Sequence, residues 1–395
     1  MTGRWMCTFS LLLSAGIALC ATSATAGVED LEIGGRFLQD WVAWGETDEA
    51  LGIATDDGTE VRSAYVSAKG RLGAHLRFKA DYDVAGGEVG VKDVYLEVFG
   101  IPAVGNVRVG HWVVPVGLDQ ITSTKNLAFL EGGSPVALTP GRNSGLMVWN
   151  SFAGGRMTAE LGAFREVDDV GEGIGSGEGG SIAGRMTGLL VKADDGSRLV
   201  HVAVSGVWSD PWGDVQRFRA RPELHLSDYI VDTGLLPTES ATTVGVELVG
   251  ILGPAHFQGE YLMASLEALE ADSAATRAED ASFAGFCVQA GYYLTGESRA
   301  FKGTSFDRTK VTSEFLDEGG FGAWEVLARY SSLDLNDEDA GVLGGKLDDV
   351  TLGLNWYMTS YARLMVNYVM ATVDDADGDE IGKTNVLGAR VQFDF

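Results

Sequence analysis

The sequence predicts an all-β protein: a transmembrane antiparallel β-barrel of about 16 strands, with one long external loop folded into its bore. Three observations carry that expectation. Apolar and polar side chains alternate in runs of about ten residues, the length a tilted strand needs to cross a bilayer. The last run, 390–395, reads Arg-Val-Gln-Phe-Asp-Phe and ends the chain on an aromatic residue. An export signal precedes all of it.

The signal occupies residues 1–26 and the barrel domain 27–395. Arg4 supplies the positive start, 9–19 is mostly apolar, and Ala24-Thr25-Ala26 fits a small-residue cleavage site, so the mature chain is expected to begin at Gly27. The apolar run is too short to favour an uncleaved anchor helix. A lipoprotein signal ending at Cys20 would place bulky Leu19 where a small residue belongs. Cys7 and Cys20 leave with the signal, and Cys287 alone cannot form an internal disulfide or a cysteine metal cage.

The period-2 pattern then repeats segment by segment. In 74–84, Leu76, Phe78, Ala80 and Tyr82 oppose Arg77, Lys79, Asp81 and Asp83. In 157–163, Met157, Ala159 and Leu161 oppose Thr158 and Glu160. Val244, Val246 and Leu248 oppose Glu247, and Phe257, Tyr261 and Met263 oppose His256, Gln258 and Glu260. Val350, Leu352, Leu354 and Trp356 oppose Thr351, Asn355 and Tyr357. Leu387, Ala389, Val391, Phe393 and Phe395 oppose Arg390, Gln392 and Asp394. Two stretches break the rule: 61–68 alternates poorly, and 363–371 puts Arg363 and Asn367 on a face with Met365 and Val369.

A soluble sandwich would alternate too. Segment length argues for the membrane, as do Trp324, Tyr330, Trp356, Tyr357, Tyr361 and Tyr368 near segment ends, where an interfacial girdle would sit. Strands in lipid must pair every backbone group, so they must close. Between them, 171–180, 268–280, 334–345 and 374–382 read as exposed Gly-rich or acidic loops. The stretch 117–143, with Pro135 and Pro140, is too long for a tight turn and is the expected constriction loop.

Composition excludes several functions. The formal charge is −27, and removing Arg4 with the signal brings it near −28, against a nucleic-acid binder. The Gly-rich loop at 171–180 has no Gly-Lys-Ser/Thr ending, so it is not a nucleotide-phosphate loop, and no H-E-x-x-H or G-x-S-x-G occurs. His201, His225 and His256 are conceivable bases on inward faces, but no nucleophile or orienting acid is tied to them, so no enzyme is expected. The acidic run 375–380 lacks the glycine and the final Glu of a calcium loop and reads as a solvated turn, so neither metal nor cofactor is expected.

Motifs spread over most of the mature chain resemble the phosphate- and polyphosphate-selective porins (porin O and P) of Gram-negative outer membranes. They include Gly34-Gly35-Arg36-Phe37-Leu38, Pro115-Val116-Gly117-Leu118, Thr122-Ser123-Thr124-Lys125, Phe129-Leu130-Glu131 and Pro140-Gly141-Arg142. Late in the chain come Tyr292-Tyr293-Leu294-Thr295-Gly296-Glu297, Gly322-Ala323-Trp324-Glu325-Val326 and Leu354-Asn355-Trp356-Tyr357. The resemblance implies a 16-stranded homotrimer in the outer membrane that passes small anions, with the third external loop in the pore. Gly132 follows Glu131 where the family often has a basic residue, and the mature chain is strongly acidic; both departures bear on phosphate more than on porin character.

Two groups of cations are candidates for the pore lining. Arg217, Arg219 and Arg221, spaced by two, are expected on one face of a strand whose apolar face (Phe218, Ala220) meets lipid, forming a guanidinium ladder for an anion. The plain alternative is wall arginines neutralised by carboxylates such as Glu223. Lys125 and Arg142 in the long loop would act at the narrowest point, or be ordinary loop cations. Arg77 and Lys79 are secondary, because Asp81 and Asp83 share their face. The expected function is passive diffusion of phosphate, other anions or small hydrophilic solutes. A general or cation-preferring porin and a plugged structural barrel stay as alternatives.

Overall fold

A computed structural model describes residues 27–87, 89–168, 171, 179–193, 195–269 and 279–395. The signal segment and most of the Gly-rich and acidic stretches at 171–180 and 268–280 lie outside the described residues.

Sixteen long strands form the wall. They are Val28–Thr47 (β1), Gly58–Leu72 (β2), Leu76–Asp83 (β3), Gly90–Ile101 (β4), Gly105–Val113 (β5), Arg142–Phe152 (β6), Met157–Arg165 (β7) and Gly180–Lys192 (β8). Then follow Arg198–Asp210 (β9), Leu236–Leu252 (β10), Ala255–Ala268 (β11), Ala281–Tyr293 (β12), Ala323–Asp337 (β13), Val342–Thr359 (β14), Ala362–Asp374 (β15) and Glu380–Asp394 (β16). Each pairs antiparallel with the next, and β16 pairs with β1 from Arg36↔Asp394 to Thr47↔Thr384, closing the barrel. Closure removes every edge, so the backbone is satisfied within the sheet. At the seam, a Cβ on Gly34 would stand 2.6 Å from the Phe395 carbonyl oxygen; only glycine lets the last residue dock there.

The alternation sorts into two faces as expected. Leu161, Val246, Leu352 and Leu387 point outward and exposed, whereas Glu247, Gln258, Asn355 and Arg390 point inward and buried. The two misfit stretches have separate causes. In β2 the register shifts between Leu38 and Gln39, so Arg62 is an extra residue beside Ser63, and a bulge rather than weak patterning breaks the period. In β15, Met365 and Val369 do point inward, but they are fully buried with Leu130 and Leu224, which come from loops inside the lumen. The wall is greasy there because a loop covers it, each buried side chain contributing ~1.5–3 kcal/mol.

Among the described residues, three segments enter the bore. The first, 114–141, joins β5 to β6 and matches the expected constriction loop. It carries a helical turn at Leu118–Ile121 and 3₁₀ turns at Thr124–Asn126 and Ser134–Leu138. The wall holds it through its backbone: Arg363 donates to the Leu127 carbonyl (2.9 Å), Asn355 to Ala128 (2.8 Å) and Gln392 to Lys125 (3.0 Å), while Leu130 N–H donates to Asn367 (2.8 Å). The second, 211–235, joins β9 to β10. Leu224 packs on Leu130, and Glu223 accepts from Ser331 and Thr351 on the far wall (both 2.6 Å). The third, 294–322, lies at the opposite end, among the short turns, and was not anticipated. It sends a small hairpin, Phe301–Lys302 against Ser305–Phe306, back into the barrel. Arg185 of β8 donates to the Thr304 carbonyl (3.1 Å), and Asn126 of the constriction loop to Phe306 (3.2 Å).

Smaller expectations also shift. The range 334–345 is mostly strand, with its turn at 338–341. The acidic run 375–380 starts a tight turn in which Asp379 N–H donates to Asp375. Tyr357 does not join a girdle: it faces inward and its hydroxyl donates to Glu325 (2.9 Å). Tyr330 and Tyr368 lie mid-strand on the outer face, leaving Trp324, Trp356 and Tyr361 at one rim.

Candidate functional site

The open part of the bore follows β1 to β6, where the inward cations Arg36, Arg62, Lys79 and Arg142 are half-buried rather than sealed. Strand β1 brings Arg36 opposite Tyr65 of β2, and its guanidinium lies 3.6 Å over the Tyr65 ring. Arg36 Nε donates to Ser63 (3.2 Å) and a terminal nitrogen to Ser123 of the constriction loop (3.1 Å). Among the described residues no carboxylate pairs with Arg36. Arg142 and Arg62 lie close enough to repel it, and Asp83, which accepts from the same Ser63, close enough to attract it.

Lys125, an expected site residue, sits in this cluster. It donates to Asp394 (2.9 Å), which also binds Arg308 from the unanticipated third segment. Burial, then the nearby Arg308 and Arg36, push the Lys125 ammonium down to about 8. Arg142 donates to Asp93 (2.9 Å), and Lys79 is shared by Asp93 and Asp81 (both 2.8 Å). Arg77 is paired with Glu97, which also takes Arg108 (2.9 Å) and the Trp149 indole (2.9 Å). Of the two acids expected to neutralise this pair, Asp81 does so for Lys79. Asp83 is used by Ser63 and by the Ala64 N–H instead.

Arg217, Arg219 and Arg221 require a correction of place. They lie not on a membrane-spanning strand but in the inserted loop 211–235, where Arg219–Ala220 pairs with Val231–Asp232 in a two-residue ladder. The alternation survives: Phe218 and Ala220 are buried and Arg217 and Arg219 exposed. The apolar face meets the inner wall, with Phe218 edge-on to Phe283 (5.7 Å between centroids), and not lipid. Periodicity cannot distinguish those two greasy surroundings. Arg217 is neutralised by Asp232 (Nε 2.8 Å). Arg219 and Arg221 stack on Tyr229 (3.9 and 4.1 Å) with no carboxylate partner among the described residues. Glu223, the expected neutraliser, is instead bound by Arg329 (3.2 Å).

Glu131 shows how the constriction loop is pinned. Burial alone would raise it, but Arg62 (2.8 and 3.0 Å) and Arg390 (2.8 Å) hold it ionised well below the usual carboxylate range. Arg390 also grips Asp40 with both forks (2.6 and 2.7 Å). Arg36, Arg62 and Arg308 were missed as site residues. Arg36 stood in the Gly-Gly-Arg-Phe-Leu motif, but nothing in the sequence signals that 294–322 re-enters the bore. Of the three histidines considered, His256 is bonded to Glu325 (2.7 Å), His201 is buried against Phe301, and His225 belongs to the loop 211–235 rather than the wall. Among the described residues no group of three or more His, Cys, Asp or Glu is placed to hold a metal.

The phosphate-selective porin O and P family matches residues 46–395. The chain belongs to that family. It is 28% identical to an uncharacterised protein of Caulobacter vibrioides over 89% of this chain and 70% of that one. It is 24% identical to porin O of Pseudomonas aeruginosa over 86% of this chain and 83% of that one. The anion-selective porin from Comamonas acidovorans superposes with a TM-score of 0.55 at 14% identity, covering 93% of this chain and 99% of that one. The protein is therefore a porin of the bacterial outer membrane.

Proposed function

We propose that this porin passes anions, phosphate among them, through a path in which stacked guanidiniums offer their open edges in turn. The observation that carries the reading is Arg36: a half-buried guanidinium at the constriction, flat on Tyr65, with Ser63 and Ser123 as its polar partners and no carboxylate ion-paired with it among the described residues. Stacking fixes the plane of the fork while leaving donors for an oxyanion. Arg219 and Arg221 on Tyr229 repeat the device in the inserted loop and would form an outer station. Arg142 and Lys125 would add positive potential at the neck, and Arg308 would continue it toward the periplasm. The names of the family and of the Comamonas relative support this direction.

The negative net charge does not count against it. Most acids lie away from the neck, and exposed charges are screened within about 10 Å at 0.1 M salt. A weakly selective porin is the competing reading, favoured by the pairing of Lys79 and Arg142 with Asp93. Reversal potentials across a salt gradient decide: anion preference in the native porin, lost in Arg36→Glu, is expected. A native preference for cations would overturn the proposal. A homotrimer is proposed with it and is tested by the mass of the detergent-extracted porin.

A further inference from the structure

The third inserted segment has a second half, 313–322, that leaves the lumen and folds onto the outside of the barrel. Trp324 of β13 and Trp356 of β14 are register partners on the outward face, and their rings stack at 5.4 Å between centroids, 16° apart. Phe315 packs edge-on against Trp356 (4.9 Å), and both indoles donate to the Phe321 carbonyl (3.3 and 2.8 Å). The flap is closed by Gly322 N–H on the Ser313 carbonyl (3.0 Å) and Leu316 N–H on Gly320 (3.1 Å), and tied to β14 by Phe315 N–H on Met358 (2.8 Å).

This framework presents two greasy tips. Leu316 is 77% exposed and Phe321 76%, the most exposed large apolar side chains among the described residues. Leu316 does so at a φ of +67°, a conformation a bulky residue adopts reluctantly. Strain held in place by that many bonds, to expose rather than bury a leucine, points to a use. The flap continues the lipid-facing surface of β13 and β14 (Val326, Leu354) at the end of the barrel where the turns are short, the periplasmic rim. From 311 to 325 there is no Lys, Arg or His. Glu314 takes the Ser360 N–H (3.2 Å), while Asp317 and Glu318 are exposed beside Leu316.

We infer that 313–322 is a lipid-binding flap: Leu316 and Phe321 enter the periplasmic leaflet, and Asp317 and Glu318 meet the ammonium of an aminophospholipid. Apolar tips flanked by acids fit a head group carrying an ammonium and repel an anionic one. The inference rests on the membrane location, not on the choice of ion.

The test uses the whole mature porin in vesicles of phosphatidylethanolamine mixed with phosphatidylglycerol. Nitroxides at Leu316→Cys and Phe321→Cys can be attached selectively, because Cys287 is buried. Collision with oxygen over a water-soluble nickel chelate should match a label at lipid-facing Leu352→Cys. Values matching Asp377→Cys, in an exposed extracellular turn, would overturn the inference. So would spin–spin broadening that disappears on dilution with unlabelled porin, which would assign the flap to a second copy. Co-purifying lipid gives the second readout. Leu316→Ser/Phe321→Ser should retain less lipid with unchanged conductance, and Asp317→Asn/Glu318→Gln should lower the preference for phosphatidylethanolamine by about fivefold. Equal retention of both lipids by the native porin would overturn the head-group assignment.

Discussion

The two halves of the bore use the same inward polar face for opposite ends. Along β1–β6, Arg36, Arg62, Lys79 and Arg142 are half-buried and reach water. Along β13–β16, Arg329, Asn355, Arg363, Asn367 and Arg390 are buried beneath the loops and hold their backbone. The difference teaches that a lumen-facing charge is not thereby a pore charge. In a barrel whose loops lie inside the bore, much of the polar stripe is glue. The glued half pairs most of its buried charges, because an unpaired charge in a dry site is costly; Asp349 of β14, buried with neither carboxylate oxygen hydrogen-bonded, departs from that pattern. The wet half can leave guanidiniums open, and an open guanidinium is what an anion can use.

The sharpest way to break the comparison is to treat a glue residue as a pore residue. Arg390→Ala would strand Asp40 and leave Glu131 to Arg62 alone, and is expected to cost about 3–5 kcal/mol. The readout is a lower thermal unfolding midpoint of the folded barrel in detergent, with noisier conductance as the constriction loop loosens. Unchanged stability would place Arg390 on the wet side.

Arg36→Glu should act the other way, leaving the unfolding midpoint nearly unchanged while cutting the anion-to-cation permeability ratio by about tenfold, a difference of about 1.4 kcal/mol. Bilayer reversal potentials measure it.

Lys125 sharpens the electrostatics through pH. It is charged below its depressed pKa of about 8 and neutral above, so its pull on anions is present at pH 7 and fades as pH rises toward 9. Sulfate conductance, which does not titrate in that range, should fall over this window in the native porin and stay flat in Lys125→Gln. The arginines keep their charge throughout.

The smallest effect is expected from Arg219→Gln. Arg219 is exposed in the inserted loop, where salt screens it. Anion conductance should drop about twofold at low salt and hardly at all near 1 M, where the screening length is about 3 Å. An equal loss at both salt concentrations would mean that Arg219 stands in the neck.

Much of the barrel was legible because lipid is an unforgiving solvent. Alternation over Phe257–Met263 or Leu387–Phe395 follows from needing apolar atoms on one side and paired backbone throughout. The constriction loop was legible from its length and prolines. The charge partners were not. That Lys79 meets Asp93 of the next strand, that Glu223 serves Arg329 rather than Arg217–Arg221, and that Arg308 returns to Lys125 depend on register and loop path. Met365 and Val369 misled for the same reason, since an apolar residue reports a dry neighbour without saying whether that neighbour is lipid or loop.

By itself, then, the sequence determined the class of solvent outside each strand and the order of the strands, because period and length answer to the bilayer residue by residue. Only the tertiary structure decided which inward charges stay wet. That outcome turns on where three loops from distant parts of the chain land inside the barrel, and no local pattern encodes where a loop lands.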